Sequence, residues 1–233
     1  MKAFLLHHAG GDKYAYLNMQ QNLLPEVQAF AFELPGRSDR LNEPFIKNIY
    51  DAVDDIYKQL LPHLQDNYCI VGNSMGAAVA YLLTHKLKQE KKPLPKHLFL
   101  ASRLSPDAYK NEPNVIGISS ADFWNVVQQY DGVPAQLLAH DELKEFYEPI
   151  LRNDFELLQQ FNQTFETIET IDVPASILFG NKDVHNVDAE KMQGWRKFFS
   201  DEINILAFEG KHFFLYENNA VVNYIKSTLN FDK

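Results

Sequence analysis

Cys69 is the only cysteine in the sequence, so no internal disulfide can form. It sits in an apolar run, where a buried and inert thiol is expected, and a reducing cytoplasm is the expected location. No apolar run approaches the ~18 residues of a membrane-spanning helix. The opening MKAFLLHHAGG holds only four apolar residues in a row before two histidines, too few for the core of a secretory signal. Basic residues are in deficit: 22 Lys and Arg against 31 Asp and Glu give a formal charge of −9, which argues against a nucleic-acid binder. The one basic run, KLKQEKK at 86–92, falls where a helix should end and reads as a solvated terminus complementing the helix dipole. Repeats and low-complexity linkers are also missing. What remains is a chain of 233 residues, 45% hydrophobic, with mean hydropathy −0.32: one sizeable soluble domain with a core.

Strand-like apolar runs recur at 2–7, 27–33, 68–72, 97–102, 175–180 and 203–208. Helical patterns fill 13–24, 47–65, 75–90, 187–199 and 219–229. Alternating helices and continuously apolar strands predict an α/β fold with a mostly parallel sheet covered on both faces. One interval breaks the rhythm. Between Leu104 and Ile171 no strand is expected, and 121–130 and 141–161 carry apolar residues at helical spacing, with Pro149 expected to kink or split the second stretch. An insertion there would lie over the carboxyl ends of the strands, where open parallel sheets build their sites. The segment 105–170 is therefore expected to form a helical lid within a single domain, 1–233.

Strand, sharp turn and helix meet in YCIVGNSMGAAVAYLL, residues 68–83. Glycines two before and two after Ser74 match the G-x-S-x-G nucleophile elbow, in which the serine takes a strained backbone and projects its hydroxyl. Gly72 and Gly76 would be needed because a Cβ there would make strand and helix collide. The plainer alternative is a helix-capping serine beside packing glycines.

A nucleophilic serine needs a base, and the base an orienting acid, in the chain order serine, acid, histidine. Five histidines follow Ser74. His85 points away along the helix, His97 starts a strand at the wrong end of the sheet, and His140 lies in the lid. His212, in the loop after the last strand, is preferred over His185. For the acid, Asp183 and Asp107 both follow strand ends. Asp183 is preferred because it lies one strand nearer His212. The backbone N–H of Met75, after the nucleophile, is one oxyanion donor by position. HHAGGD, residues 7–12, supplies the early loop for a second, with Ala9 as the donor. Read instead as a phosphate cradle, that loop has neither a following G-K-[ST] nor a spaced third glycine.

With these segments in place, the chain resembles the type II (external) thioesterases that work beside nonribosomal peptide and polyketide synthases. The resemblance runs in order through HAGG (8–11), ELPGRSDR (33–40) with EP at 43–44, GNSMG (72–76), LRNDF (151–155), GNKD (180–183) and HFFL (212–215). It implies an α/β-hydrolase fold with a helical lid. It implies hydrolysis of acyl groups held as thioesters on the phosphopantetheine arm of acyl or peptidyl carrier protein domains, with no cofactor or metal of the enzyme's own. By motif it assigns Ser74, Asp183 and His212 to the triad, and Ala9 and Met75 to the oxyanion hole. His7 and Asp12 stand where the family often has proline and serine, and DGVP (131–134) where a glycine pair is usual. Arg37 and Arg40 match the pattern and are expected in structural ion pairs rather than substrate contacts. Two other functions remain open: a small carboxylesterase or acyltransferase with the same triad, and a non-catalytic binding protein of the same fold. The complete triad speaks against the second of these.

Overall fold

Along β1 (Lys2–Leu6) the side chains alternate between two cores. Ala3 and Leu5 join a cluster with Met19, Leu23 and Val221, whereas Phe4 and Leu6 join one with Ile56, Leu83 and Leu157. Burial on both faces is what a continuously apolar strand requires, and it recurs in β3 (Tyr68–Asn73), β4 (His97–Ala101) and β5 (Ala175–Gly180). The less buried β2 (Gln28–Phe32) and β6 (Ile203–Phe208) form the edges. The sheet order is β2-β1-β3-β4-β5-β6, and all five pairings are parallel.

This computed structural model describes residues 1–64, 67–109, 115–129, 133, 135–163, 169–183 and 189–229. Its α-helices are α1 (Leu17–Leu23), α2 (Ile49–Leu60), α3 (Met75–Gln89), α4 (Ser120–Val127), α5 (Ala135–Ala139), α6 (Asp141–Gln163), α7 (Ala189–Met192), α8 (Phe214–Glu217) and α9 (Asn219–Thr228). Asn48 starts α2 by accepting the Tyr50 and Asp51 N–H groups. The basic run closes α3, where Lys86 pairs with Asp54 at 3.1 Å and Glu90 at 3.2 Å. No helix among the described residues is long and apolar enough to cross a membrane.

Between β4 and β5 the described residues hold α4, α5 and α6 with a small core of their own, in which Phe123, Trp124 and Val127 meet Leu138, Tyr147 and Phe155. Of the kink or split expected at Pro149, the split does not occur. α6 runs unbroken through Pro149. A proline inside a helix frees the carbonyl four residues back, at a cost of about 3 kcal/mol when that group is buried. Pro149 and Glu145 both lie on the exposed face, where water takes the partner's place. The opposite face is anchored by buried Ile150, Leu157, Leu158 and Phe161.

Candidate active site

All strands run the same way, so the loops after β1, β3, β4, β5 and β6 gather at one edge of the sheet. Ser74 stands there, between β3 and α3, with φ 53° and ψ −109°. Such a backbone costs on the order of 1–3 kcal/mol for a residue with a Cβ. Its side chain makes no capping hydrogen bond to α3, so the plainer alternative of a helix cap is not what this serine does. The turn is held by its backbone: Ser74 N–H donates to the Ala101 carbonyl at 2.8 Å. A Cβ on Gly72 would run into the backbone of Gly76, and one on Gly76 into the Leu6 carbonyl, which is why both positions need glycine.

Asp183 and His212 meet at this edge. Nδ1 of His212 lies 2.8 Å from Oδ2 of Asp183, with the two side chains 5% and 0% exposed. Their loops are stitched together by Asn181 N–H on the Phe208 carbonyl at 2.8 Å and Lys182 N–H on the Gly210 carbonyl at 2.9 Å. The Ser102 hydroxyl donates to the His212 carbonyl at 2.6 Å and fixes the histidine from the β4 side. Asp107 is occupied elsewhere, accepting from Lys197 at 2.6 Å and from the Ser105 hydroxyl at 2.7 Å. Three of the other histidines after Ser74 are placed elsewhere. His85 is in α3 beside Tyr81, and His97 starts β4 with its Nε2 2.8 Å from the Ser176 hydroxyl. His140 is exposed just before α6. His185 lies outside the described residues, as do Asp131, Gly132 and Pro134 of the DGVP segment.

The loop after β1 carries Ala9. His7 is buried beneath it with its Nδ1 2.8 Å from the His8 carbonyl; burial above all, and then Arg37, hold it at about 4, so it is neutral. Asp12 accepts from the Tyr14 N–H at 2.9 Å and from the Ser38 hydroxyl at 2.7 Å, which ties the loop to the segment after β2. His8 is a residue the sequence reading left without a role. Its Nδ1 is 2.7 Å from the Tyr216 hydroxyl and its ring centroid 4.5 Å from that of Phe213. Burial, followed by the nearby His7 and His212, pushes its pKa well below the ordinary histidine value, so His8 is a neutral neighbour of His212. The arginines are in ion pairs, as expected. Arg37 binds Asp154, and Arg40 binds Glu43 and Asp55 at 2.5 Å each.

A cleft of about 430 Å³ opens beside this loop. One wall is residues 8–12, and the other carries Leu137 of α5 with Leu143, Tyr147 and Leu151 of α6. Phe213, whose ring is 5.0 Å from that of His212, also lines the cleft. The walls of this cleft between the loop after β1 and the helical insertion are mainly apolar.

The model of the thioesterase domain family matches residues 2–229. Among curated relatives, the Brevibacillus parabrevis protein named linear gramicidin dehydrogenase LgrE is 28% identical, over 97% of this chain and 86% of its own. Gramicidin S biosynthesis protein GrsT of Aneurinibacillus migulanus is 25% identical, over 94% and 84%. The crystal structure of ClbQ, from the colibactin NRPS/PKS pathway, superposes with a TM-score of 0.86 at 25% identity, over 98% of this chain and 96% of that one. The fold is accordingly that of the α/β-hydrolase thioesterases, and the chain belongs to the thioesterase domain family, whose members are serine hydrolases acting on thioesters.

Proposed function

We propose that the chain removes acyl groups from the phosphopantetheine arm of acyl or peptidyl carrier protein domains, in the service of a nonribosomal peptide or polyketide synthase. Relatives named for gramicidin biosynthesis and a neighbour from an NRPS/PKS pathway support this reading. The dehydrogenase in one relative's name finds no fingerprint here, since the turn after β1 has Gly10 and Gly11 but no spaced third glycine.

In the proposed reaction His212 takes the Ser74 proton as Oγ attacks the thioester carbonyl. Asp183 holds the imidazole in the tautomer that leaves Nε2 free to accept, and stabilises the imidazolium that forms. The oxyanion is met by the N–H groups of Met75 and Ala9, each such donor typically contributing ~10²–10³ in rate. His212 then returns the proton to the departing pantetheine sulfur. Water, deprotonated by the same histidine, cleaves the acyl-Ser74 ester to free acid and serine. The arm belongs to the partner, and the enzyme contributes no cofactor. The segment 105–170 acts as the lid, with the acyl chain in the cleft between α6 and the loop after β1. A cytoplasmic enzyme suits a single thiol that burial pushes up to about 12, out of reach of redox chemistry.

The single observation that carries the reading is the sealed Asp183–His212 pair at the edge where Ser74 is held in a strained turn. The test is to compare hydrolysis of acyl-loaded carrier protein with that of matched free esters. Preference for the carrier-bound thioester is expected. Equal turnover of both would replace the carrier-directed function by that of a general esterase.

A further inference from the structure

Arg37 and Asp154 are 117 residues from each other in the chain. The two side chains, 3% and 0% exposed, meet as a fork: Nη1 and Nη2 of Arg37 donate to Oδ2 and Oδ1 of Asp154, both at 2.7 Å. The contacts continue into the loop that follows Ala9. Asp154 Oδ2 also accepts the Gly10 N–H at 2.7 Å, and Arg37 Nη1 also donates to the Gly11 carbonyl at 3.1 Å. The anion thus takes a backbone donor and the cation a backbone acceptor from consecutive residues. Leu151, three residues before Asp154 on α6, lies so close to Gly10 that any Cβ there would collide with it. Gly10 itself has φ +74°, in the left-handed region.

A buried ion pair is a poor way to gain stability, because the desolvation it demands often exceeds what well-packed apolar side chains would cost. Apolar side chains cannot grip a peptide group. This pair does so on both sides of a loop whose value depends on where its N–H groups point. Fixing the Gly10 N–H fixes the peptide plane that follows Ala9, and the plane that carries the Ala9 N–H is tied to the same residues because its His8 carbonyl accepts the Gly11 N–H at 3.1 Å. Preorganised donors lose much of their effect when they shift by ~1 Å.

We propose that Asp154, clamped by Arg37, is a positioning residue for the oxyanion loop. It aligns the Ala9 N–H with the developing oxyanion and makes that alignment depend on the seating of α6, the same helix that lines the acyl cleft. An acyl chain that seats α6 correctly thereby sets the donor for its own hydrolysis. The inference rests on the reading of Ala9 as an oxyanion donor.

The test uses the full chain and a short soluble acyl thioester. Arg37→Gln with Asp154→Asn removes both charges together and leaves no lone buried charge. Arg37→Lys keeps the positive charge but loses the planar fork. Thermal melting followed by circular dichroism gives the folded fraction, and kcat and KM are read per folded molecule. The double variant is expected to lose about ten-fold or more in kcat with KM within about two-fold, and Arg37→Lys to fall between it and the unsubstituted protein. Unchanged kcat per folded molecule in Arg37→Lys, with only the melting temperature lowered, would overturn the inference even if the double variant did not fold. A third protein carries lactate at position 9, so that an ester oxygen replaces the Ala9 N–H. Full kcat there means that the oxyanion reading itself has failed, and the inference with it. A loss of ~10² there, with the clamp variants at full kcat, means that Ala9 is a donor and the clamp is not what aligns it.

Discussion

Nδ1 of His212 and Oδ2 of Asp183 are 2.8 Å apart and sealed from water by loops that hydrogen-bond to each other. A carboxylate accepting from Nδ1–H leaves Nε2 to accept the serine proton, while an amide can present its N–H to Nδ1 and favour the other tautomer. Asp183→Asn is therefore expected to lose roughly 10³–10⁴ in kcat. Asp107→Asn should be mild, because Asp107 serves Lys197 and Ser105 instead. Steady-state kinetics of the two variants on one thioester decides it, and the reverse pattern would move the acid to the loop after β4.

Ser102→Ala removes the hydroxyl that donates to the His212 carbonyl at 2.6 Å. The lost hydrogen bond is buried, so a stability decrease of about 1–2 kcal/mol is expected in urea unfolding. Catalysis should fall by about ten-fold as the histidine loop loosens, far less than a triad deletion. A loss as large as that of Asp183→Asn would mean that Ser102 takes part in the chemistry.

What could be read from the sequence followed the physics of each element. The inner strands were legible because strands buried on both faces must be apolar throughout, and β3 and β5 are buried at every position, while the edge strands β2 and β6 were legible from the apolar residues that QAFAF and INILAF still carry. Ser74 was legible because the turn admits only glycine at positions 72 and 76. His212 and Asp183 were placed by the rule that sites gather at the carboxyl ends of parallel strands. Arg37 and Asp154 were not joined in advance, because no local pattern links positions 117 residues apart. His8, Ser102 and Tyr216 escaped for a related reason: each is a single polar residue whose partner is set only by the fold. Pro149 does not split α6 because the penalty for an interior proline depends on burial of the freed carbonyl, and both Pro149 and Glu145 lie on the exposed face.

The aromatic residues of the insertion divide by exposure. Phe123 and Trp124 are 0% and 5% exposed within its small core, Tyr147 lines the cleft, and Phe146 is 47% exposed. Helical spacing made it clear that one face could not bury all four. Phe146→Ala is expected to raise KM for a carrier-bound thioester several-fold and to spare a short soluble one, the mark of lost uniform binding. Tyr147→Ala should raise KM for long acyl chains on either carrier. Equal losses on all substrates would make both residues purely structural.

Glu33, just after β2, is 3% exposed. Burial first, and then the Asp12 carboxylate, push it from 4.5 to about 7. Between those values the folded protein holds a proton that the unfolded chain has lost, so this group's contribution falls as pH rises from 4.5 to 7. Buried His7 and His97, both held at about 4 mainly by burial, act in the opposite direction, their contribution being lost as pH falls from 6.5 to about 4. The diagnostic is therefore the difference between Glu33→Gln and the unsubstituted protein. It should be near zero around pH 4.5 and favour the variant at pH 8 by on the order of 1–3 kcal/mol in urea unfolding. A difference that does not change with pH would contradict an elevated Glu33.

The central claim is an acyl-enzyme on Ser74, and trapping that intermediate tests it most directly. The protein is mixed with an acyl-loaded carrier protein, quenched in acid within the first turnovers, digested and examined by mass spectrometry. The account predicts that the peptide containing Ser74 carries the mass of the acyl group, that Asp183→Asn forms it more slowly, and that Ser74→Ala neither forms it nor turns over substrate while melting as the unsubstituted protein does. An acyl group on another residue, or a folded Ser74→Ala protein that still hydrolyses the thioester, would contradict it.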